Sequence, residues 1–350
     1  MKKLLPMGGL LALVAVAACS DVTPVTPTMS ASSSTRALTA SGAEEAIAGS
    51  EALTQLNARL AATGAKVRVA KAELLMDANS WNGVGATILV PMDRARGYGA
   101  EWVPGDPRRD GRIGVTYALG SSHPGVAQTF DGSATPVVVS PAQLDAQIEE
   151  GMSAWRAERC SAPITRVPVA AGTDPDLFDD YFRAVAAGTQ ATFEPSANYV
   201  QAADIIQGGW QPASFFRAIA GGVSGNSIIG ITLTLTYYGD DNKPTDIDGN
   251  GKEDIGISEI FYNNRFAWTA HGTLGSMDFY SIITHETGHA LGLNHFGKLF
   301  VSSHDAADGI QLADVKYAPY ALMNAAYVTG RNEIGGTDRS SFCQIWSYAK

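Results

Sequence analysis

Apolar side chains recur at helical spacing in several stretches of the chain. In the first, Leu53, Leu56 and Leu60 lie near one stripe, which predicts a helix over residues 44–60. A longer helix is predicted from a proline at 141 to residue 160, because proline is suited to the first helical position and apolar residues follow along one face. A third helix is predicted to begin near Asp278, and a closing helix near Thr337, since both residue types cap helix N-termini.

Six other segments have the composition or the alternation of β-strands. They are KVRVAKAELL, IGVTYAL, ITRVPV, ADIIQGGW, SIIGITLTLTYY and ISEIFYNNRFAWT. Residues 81–110 are instead dense in glycine, proline and aspartate, and are predicted to form turns and loops. Strands interleaved with long helices predict an α+β fold, with a twisted mixed sheet packed against helices.

Composition narrows the class of protein further. Hydrophobic residues make up 45% of the 350 residues, which is ample for a packed core. Only 17% are charged, and the net charge is −10. Phosphate binding needs a basic patch, and none is evident in the sequence, so nucleic acid is not expected to be a partner. The length allows two domains, but one main folded unit with an N-terminal extension fits the pattern better.

The N-terminus reads MKKLLPMGGLLALVAVAAC, with two lysines, a short apolar run and small residues before Cys19. It is too short and too glycine-interrupted for a membrane span. The end of the run resembles the lipobox of bacterial lipoproteins, which implies a signal peptide at 1–18 and lipidation of Cys19. An ordinary secretory signal is the alternative. The lipoprotein resemblance implies an exported protein, anchored by lipid to the outer membrane or cell surface of a Gram-negative-type bacterium, or secreted.

Residues 19–42 are rich in threonine, proline, serine and alanine, so they are predicted to be a flexible tether. If Cys19 carries lipid, Cys160 and Cys343 remain as an even number of cysteines in an oxidising compartment. A disulfide between these two is then the simplest prediction.

The segment HETGHALGLNH, at 285–295, carries the candidate chemistry. His285 and His289 are four residues apart, so both imidazoles project from one face of a helix and can bind one ion. Glu286 is offset from that face, which places its carboxylate near the ion without making it a ligand. Gly292 can take a positive φ and end the helix, so that His295 returns as a third ligand.

Three histidines leave the fourth corner of a tetrahedral zinc site open, which is typical of catalytic rather than structural sites. The segment resembles the HExxHxxGxxH signature of the metzincin zinc endopeptidases at all five defining positions. The resemblance implies a zinc cleft between an upper and a lower subdomain, and a Met-turn under the metal. ALMNAAY at 321–327 is similar to a matrixin Met-turn, with Met323 as the candidate methionine.

The resemblance implies a zinc-dependent endopeptidase of the matrixin-like type, acting on protein or peptide substrates with Glu286 as general base and expected to be a monomer. It assigns 111–350 to the catalytic domain and leaves 43–110 as a small N-terminal region, a candidate propeptide. It also makes EIFYNNRFAWT, at 259–269 in the last predicted strand, the candidate edge that pairs with substrate, an ordinary sheet edge being the alternative. The competing function is a non-proteolytic metal-binding surface lipoprotein used for adhesion or binding.

A second metal site is predicted in the segment DIDGNGKED. Its potential oxygen ligands fall at the first, third, fifth and ninth positions of an EF-hand-like calcium loop, and are Asp246, Asp248, Asn250 and Asp254. A glycine occupies the sixth position, where such loops turn sharply. The twelfth position is Ile257 instead of the bidentate glutamate, so an acidic hairpin turn without metal is the alternative.

Overall fold

The computed structural model describes residues 51–77, 84–90, 99–122, 140–178, 181–182, 201–220, 223–270, 276–303, 311–315, 318–328 and 330–346. Cys19, with the predicted signal peptide and tether, lies outside these ranges. None of the described helices is both long enough and apolar enough to span a membrane.

Five helices are described. They are α1 (51–62), α2 (Pro141–Arg156), α3 (Ala213–Ala220), α4 (Phe279–Ala290) and α5 (Gly336–Ile345). α2 begins with a capping box, in which the Ser140 hydroxyl accepts from the Gln143 N–H and the Gln143 side chain accepts from the Ser140 N–H. The predicted cap of the closing helix is wrong, because α5 starts at Gly336 with Gly335 at the N-cap and Thr337 already inside the helix.

Twelve strands are described. They are β1 (Val67–Asp77), β2 (Val84–Leu89), β3 (Val115–Ser122), β4 (Ile164–Arg166), β5 (Ile205–Gln211), β6 (Ile228–Tyr237), β7 (Ile255–Asn263), β8 (Trp268–Thr269), β9 (Met277–Asp278), β10 (Gly297–Ser303), β11 (Gln311–Val315) and β12 (Ala326–Tyr327).

Ten of the described strands form one mixed sheet, in the order β11-β10-β2-β1-β6-β7-β5-β3-β4, with β12 paired to β1. β6 is antiparallel to both of its neighbours, β1 and β7, whereas β7, β5, β3 and β4 run parallel. The two remaining strands, β8 and β9, pair with each other. The predicted α+β class with a mixed sheet is therefore confirmed.

Alternate residues of the central strands face two separate cores, as the period of a β-strand requires. On β7, Ile260 packs into the core that contains side chains from α2, α4 and α5, whereas Phe261 packs into the core that contains α1 and α3. The sheet thus has helices on both faces. The candidate site lies on the face that carries α4.

The N-terminal region shares this sheet with the rest of the chain. β1 pairs with β6 from Val67↔Tyr237 to Met76↔Ile228, and β2 pairs with β10, which follows the histidine motif. Among the described residues, strands from both sides of the expected boundary at residue 111 therefore belong to the same sheet. The prediction of a loop throughout 81–110 is wrong for β2, which lies between β1 and β10.

The prediction that the strand at 259–269 is a substrate-binding edge is wrong for residues 259–263. They belong to β7, which is hydrogen-bonded to β6 on one side and to β5 on the other, so their backbone groups are already paired inside the sheet. Residues 268 and 269 form β8, which pairs with β9.

Cys160 and Cys343 form a disulfide, with Cα atoms 5.3 Å apart. It joins the turn that follows α2 to the last turn of α5. Because the two helices pack in the same core as α4, the bond fixes the surroundings of the candidate site.

Candidate metal centre

α4 is built to hold its histidines in place. Asp278 caps the N-terminus, since its carboxylate accepts from the Tyr280 N–H and from the Ser281 hydroxyl. At the other end Gly292 has φ +98°, and the N–H groups of residues 292 and 293 donate to the carbonyls of residues 289 and 288. This is a Schellman motif, which stops the helix and turns the chain toward His295.

Three tryptophans from other segments hydrogen-bond to the backbone of α4 and of its C-terminal end. The indole N–H groups of Trp155, Trp102 and Trp346 donate to the carbonyls of residues 284, 290 and 291, at 2.7–3.0 Å. Each indole reaches α4 from a different part of the chain. The helix is therefore held by packing and hydrogen bonds together, which favours a rigid site.

The three motif histidines converge. The Nε2 atoms of His285, His289 and His295 lie 3.0–3.2 Å from one another, and the three side chains are 0–2% exposed. Nitrogen ligands about 2.0–2.1 Å from a tetrahedral ion lie about 3.3 Å apart, so the observed spacing fits one metal ion with a small adjustment. This buried group can hold a metal ion.

The second nitrogen of each ring supports the same arrangement. Nδ1 of His285 donates to the Leu322 carbonyl at 2.7 Å, and Nδ1 of His289 donates to the Leu293 carbonyl at 2.9 Å. Nδ1 of His295 lies 3.1 Å from a carboxylate oxygen of Glu73. With a proton on every Nδ1, each Nε2 lone pair is directed at the common point, which is the outer-shell arrangement typical of metal-bound histidines.

Burial keeps the rings in their ligand form. It lowers the pKa of His285 to about 3, and the neighbouring His295 acts in the same direction. It also lowers the pKa of His289 well below its usual value. Both rings are therefore neutral at physiological pH, which leaves their lone pairs available to a metal.

Glu286 lies beside this group, on the side toward β6. Its Oε2 accepts from the Thr232 hydroxyl at 2.6 Å, while Oε1 has no hydrogen-bond partner among the described residues. A side chain at Gly230 would collide with it, because a Cβ there would lie 2.6 Å from Oε1. Burial raises the pKa of Glu286 to about 8, against the opposing hydrogen bond from Thr232. The carboxyl group is thus held in place by β6 with one oxygen uncommitted.

The candidate Met-turn lies under α4. Met323 is fully buried, and its Sδ occupies the space that a side chain at Gly288 would fill. The carboxylate of Asp338, on α5, accepts from the N–H groups of Leu322 and Met323, both at 3.0 Å. The carbonyl that holds His285 and the methionine below the helix are therefore fixed by one buried aspartate.

Sequence reasoning identified the three histidines, Glu286, Gly292 and Met323, and the structure brings them together. It missed Glu73, Thr232 and Asp338. The only signal for the first two was a charged or polar residue at an alternate position of an apolar strand, which does not say what it faces. The local contact of Asp338, with the Gly335 N–H, marks only the start of α5. Its other two partners lie in a turn that precedes it by about fifteen residues, so the sequence does not reveal them.

The second predicted metal site is only partly assembled. Carboxylate oxygens of Asp246, Asp248 and Asp254 lie within 4.8 Å of one another. However, Asp254 is already bound by Arg108 at 2.7 Å and by the Thr245 hydroxyl at 2.6 Å. The expected ligand Asn250 uses its oxygen to accept from the Lys252 N–H. Ile257, at the twelfth position, is buried in β7. Calcium therefore stays a prediction.

No model of a known protein family matches the chain, and the search of curated proteins found no match.

Proposed function

We propose that this protein is a zinc-dependent endopeptidase. The observation that carries the proposal is the pairing of three convergent histidine nitrogens with a neighbouring buried carboxyl group that has one uncommitted oxygen. Three protein ligands leave one position for substrate or water, which is the composition of catalytic zinc sites. Zinc is preferred over other ions because imidazole nitrogen suits it and no carboxylate oxygen joins the ligand set.

When bound, zinc would act as a Lewis acid toward a water molecule and toward the carbonyl of a peptide bond. Glu286 would accept a proton from that water through its free Oε1 and pass it to the leaving amine. Thr232 would hold the other oxygen, so that the carboxyl group does not rotate during the proton transfer. A positive ion nearby would lower the pKa of Glu286 and favour the carboxylate that a general base requires.

The resemblance to metzincins supports the same reaction and a matrixin-like assignment. The Met-turn position, with Met323 beneath the helix at Gly288, agrees with that resemblance. The separate resemblance of the N-terminus to a lipobox, at Cys19, supports an exported, lipid-anchored enzyme that acts on protein substrates outside the cytoplasm. These assignments rest on motifs in the sequence, and they extend the proposal from chemistry to family and location.

The decisive experiment compares the wild-type protein with Glu286→Gln. We expect the wild type to cleave an unfolded protein substrate, to lose activity with a chelator and to regain it with zinc. Glu286→Gln should bind one zinc ion per chain and cleave about 10²–10⁴ times more slowly, because general base catalysis contributes a factor of this size. Glu253→Gln is the matched control, since Glu253 is another fully buried carboxylate, bound by Thr236.

The same experiment distinguishes the proposed endopeptidase from the competing function. A binding or adhesion protein needs the histidines but not Glu286, so a wild type that holds zinc and cleaves nothing would favour it. Equal cleavage rates for the wild type and Glu286→Gln would refute the assignment of the general base.

A further inference from the structure

His295 differs from the other two histidines in what orients it. His285 and His289 donate to backbone carbonyls from the turn at residue 322 and from the end of their own helix. His295 instead has its Nδ1 3.1 Å from Oε2 of Glu73, a side chain more than two hundred residues earlier in the chain. A backbone carbonyl is present whichever residue occupies the position, but a carboxylate is present only if the position holds aspartate or glutamate.

Glu73 lies at the centre of a small buried network on the α4 face of β1 and β2. Thr87, its direct cross-strand partner on β2, donates to the same Oε2. Lys71, two residues before Glu73 and on the same face of β1, lies 3.4 Å from Oε1. Lys71 also donates to the side chain of Asn294 at 2.6 Å, so the network contacts the two residues at the end of the histidine motif.

The stability of the sheet alone does not explain this network. Lys71 and Glu73 are both 0% exposed, and a buried ion pair usually stabilises a fold no better than apolar side chains of similar volume. The carboxyl group of Glu73 is instead placed between two nitrogen donors, because Lys71 lies 3.4 Å from one of its oxygens and Nδ1 of His295 lies 3.1 Å from the other. A carboxylate beside the Nδ1 of a metal-ligating histidine fixes the ring orientation and increases the basicity of Nε2.

We propose that Glu73 is a positioning residue of the metal centre, holding His295 with its Nε2 directed at the ion, and that Lys71 and Thr87 hold Glu73. The inference rests on the proposed metal-dependent function. It also assigns a role to the N-terminal region: β1 completes the metal centre, so the region is part of the working enzyme and not an inhibitor that is removed.

The test measures zinc affinity, by competition with a chromophoric chelator, in variants of the full-length protein. Glu73→Asp keeps the charge but withdraws the carboxylate by about one methylene group. Glu73→Leu combined with Lys71→Met replaces the whole ion pair by apolar side chains, so no unpaired buried charge is left. We expect zinc to bind about 10–100 times more weakly to both variants, which is the usual effect of losing an outer-shell partner.

A second measurement distinguishes positioning from general destabilisation. In the metal-free wild type, long-range ¹H–¹⁵N correlation should find His295 protonated on Nδ1. In the Lys71→Met/Glu73→Leu variant the ring should populate both tautomers, while His285 and His289 keep theirs. The control Glu253→Gln, in a different buried carboxylate, should leave both the zinc affinity and the tautomers unchanged.

The outcomes are separable from those for the proposed function. If the wild type binds zinc tightly and cleaves peptide bonds, but Glu73→Asp has wild-type affinity and the His295 tautomer is unchanged in the double variant, the positioning role is overturned and the enzyme stands. If the double variant does not fold, Glu73→Asp alone decides, since wild-type zinc affinity in it overturns the inference. If the wild type holds no zinc, the proposed function fails first.

Discussion

Gly230 gives the sharpest test of how β6 places Glu286, the proposed general base. A Cβ at this position would lie 2.6 Å from Oε1 of Glu286, 3.1 Å from its Cδ and 3.2 Å from its Cγ. Such a contact does not occur between real atoms, so one side must move. The backbone of β6 is paired on both sides, to β1 and to β7, and it has little freedom to retreat. In Gly230→Ala the displacement therefore falls mainly on the carboxyl group of Glu286.

The size of the effect follows from the distance. An ordinary contact starts at 3.4 Å, so Oε1 must shift by about 0.8 Å. A catalytic group misplaced by about 1 Å can lose about 10²-fold in rate. We therefore expect kcat to fall about 10–100-fold in Gly230→Ala. Crowding a packed interior by one methyl group should also cost about 1–3 kcal/mol of stability.

The assay is steady-state cleavage of a quenched fluorescent peptide, together with zinc content and a urea melt. KM and zinc stoichiometry should stay near wild type, because the added methyl group faces Glu286 and not the histidines. Gly336→Ala is the control, since a Cβ there meets nothing within 4 Å. A wild-type kcat in folded Gly230→Ala, or the same loss in Gly336→Ala, would refute the argument.

Four further results are expected. Asp338→Ala removes a buried acceptor from three backbone N–H groups and should lower the free energy of unfolding by about 2–5 kcal/mol in a urea titration; an unchanged midpoint would contradict this. Replacing Cys160 and Cys343 by alanine opens a loop of 183 residues and should lower the free energy of unfolding by up to about 5 kcal/mol in the same titration. A decrease below about 1 kcal/mol would show that the disulfide constrains the unfolded chain little. In the metal-free protein the pKa of Glu286 is raised from 4.5 to about 8, so between these pH values the folded state keeps a proton that the unfolded state loses. The free energy of unfolding should therefore decline as pH rises through that interval. Glu286→Gln should remove this part of the decline, and parallel plots of stability against pH for the wild type and the variant would contradict the expectation. Calcium should raise the melting temperature of the wild type but not of Asp246→Ala, whereas an unchanged wild-type melt would count against the loop as a site.

The features that the sequence predicted well are those with a local cause. The helix at 279–290 and its glycine stop follow from residues within a few positions of each other, and the spacing of the histidines needs only the helical period. The long helix at 141–156 was recognised for the same reason, through its proline and its apolar face. Helical contacts are short-range, so a single sequence carries most of the information about them.

The two errors about strands, at β2 and at β7, have a common origin in pairing between distant segments. β2 was hidden because the surrounding residues are rich in glycine and proline, and its strand form depends on β1 and β10 on either side. β7 was assigned to an edge because nothing in its own sequence reveals a second partner. Both errors concern which strands are neighbours, and that information is spread over segments far apart in the chain.

If the proposed function is correct, the placement of β1 limits how a peptide substrate can approach the candidate metal centre. β6 is the strand nearest Glu286, through Gly230 and Thr232. Binding a substrate as an added strand requires unpaired N–H and carbonyl groups along an edge, but both sides of β6 are already occupied, by β1 and β7. In the described sheet the strands with a single partner strand are β11 and β4, at its two ends, and the two-residue β12, which pairs with β1. A peptide that used strand addition at β6 would have to displace β1, and Glu73 would leave His295 with it. Strand addition and tight metal binding are therefore expected to compete, and substrate contacts should come from the side chains and turns around α4 instead.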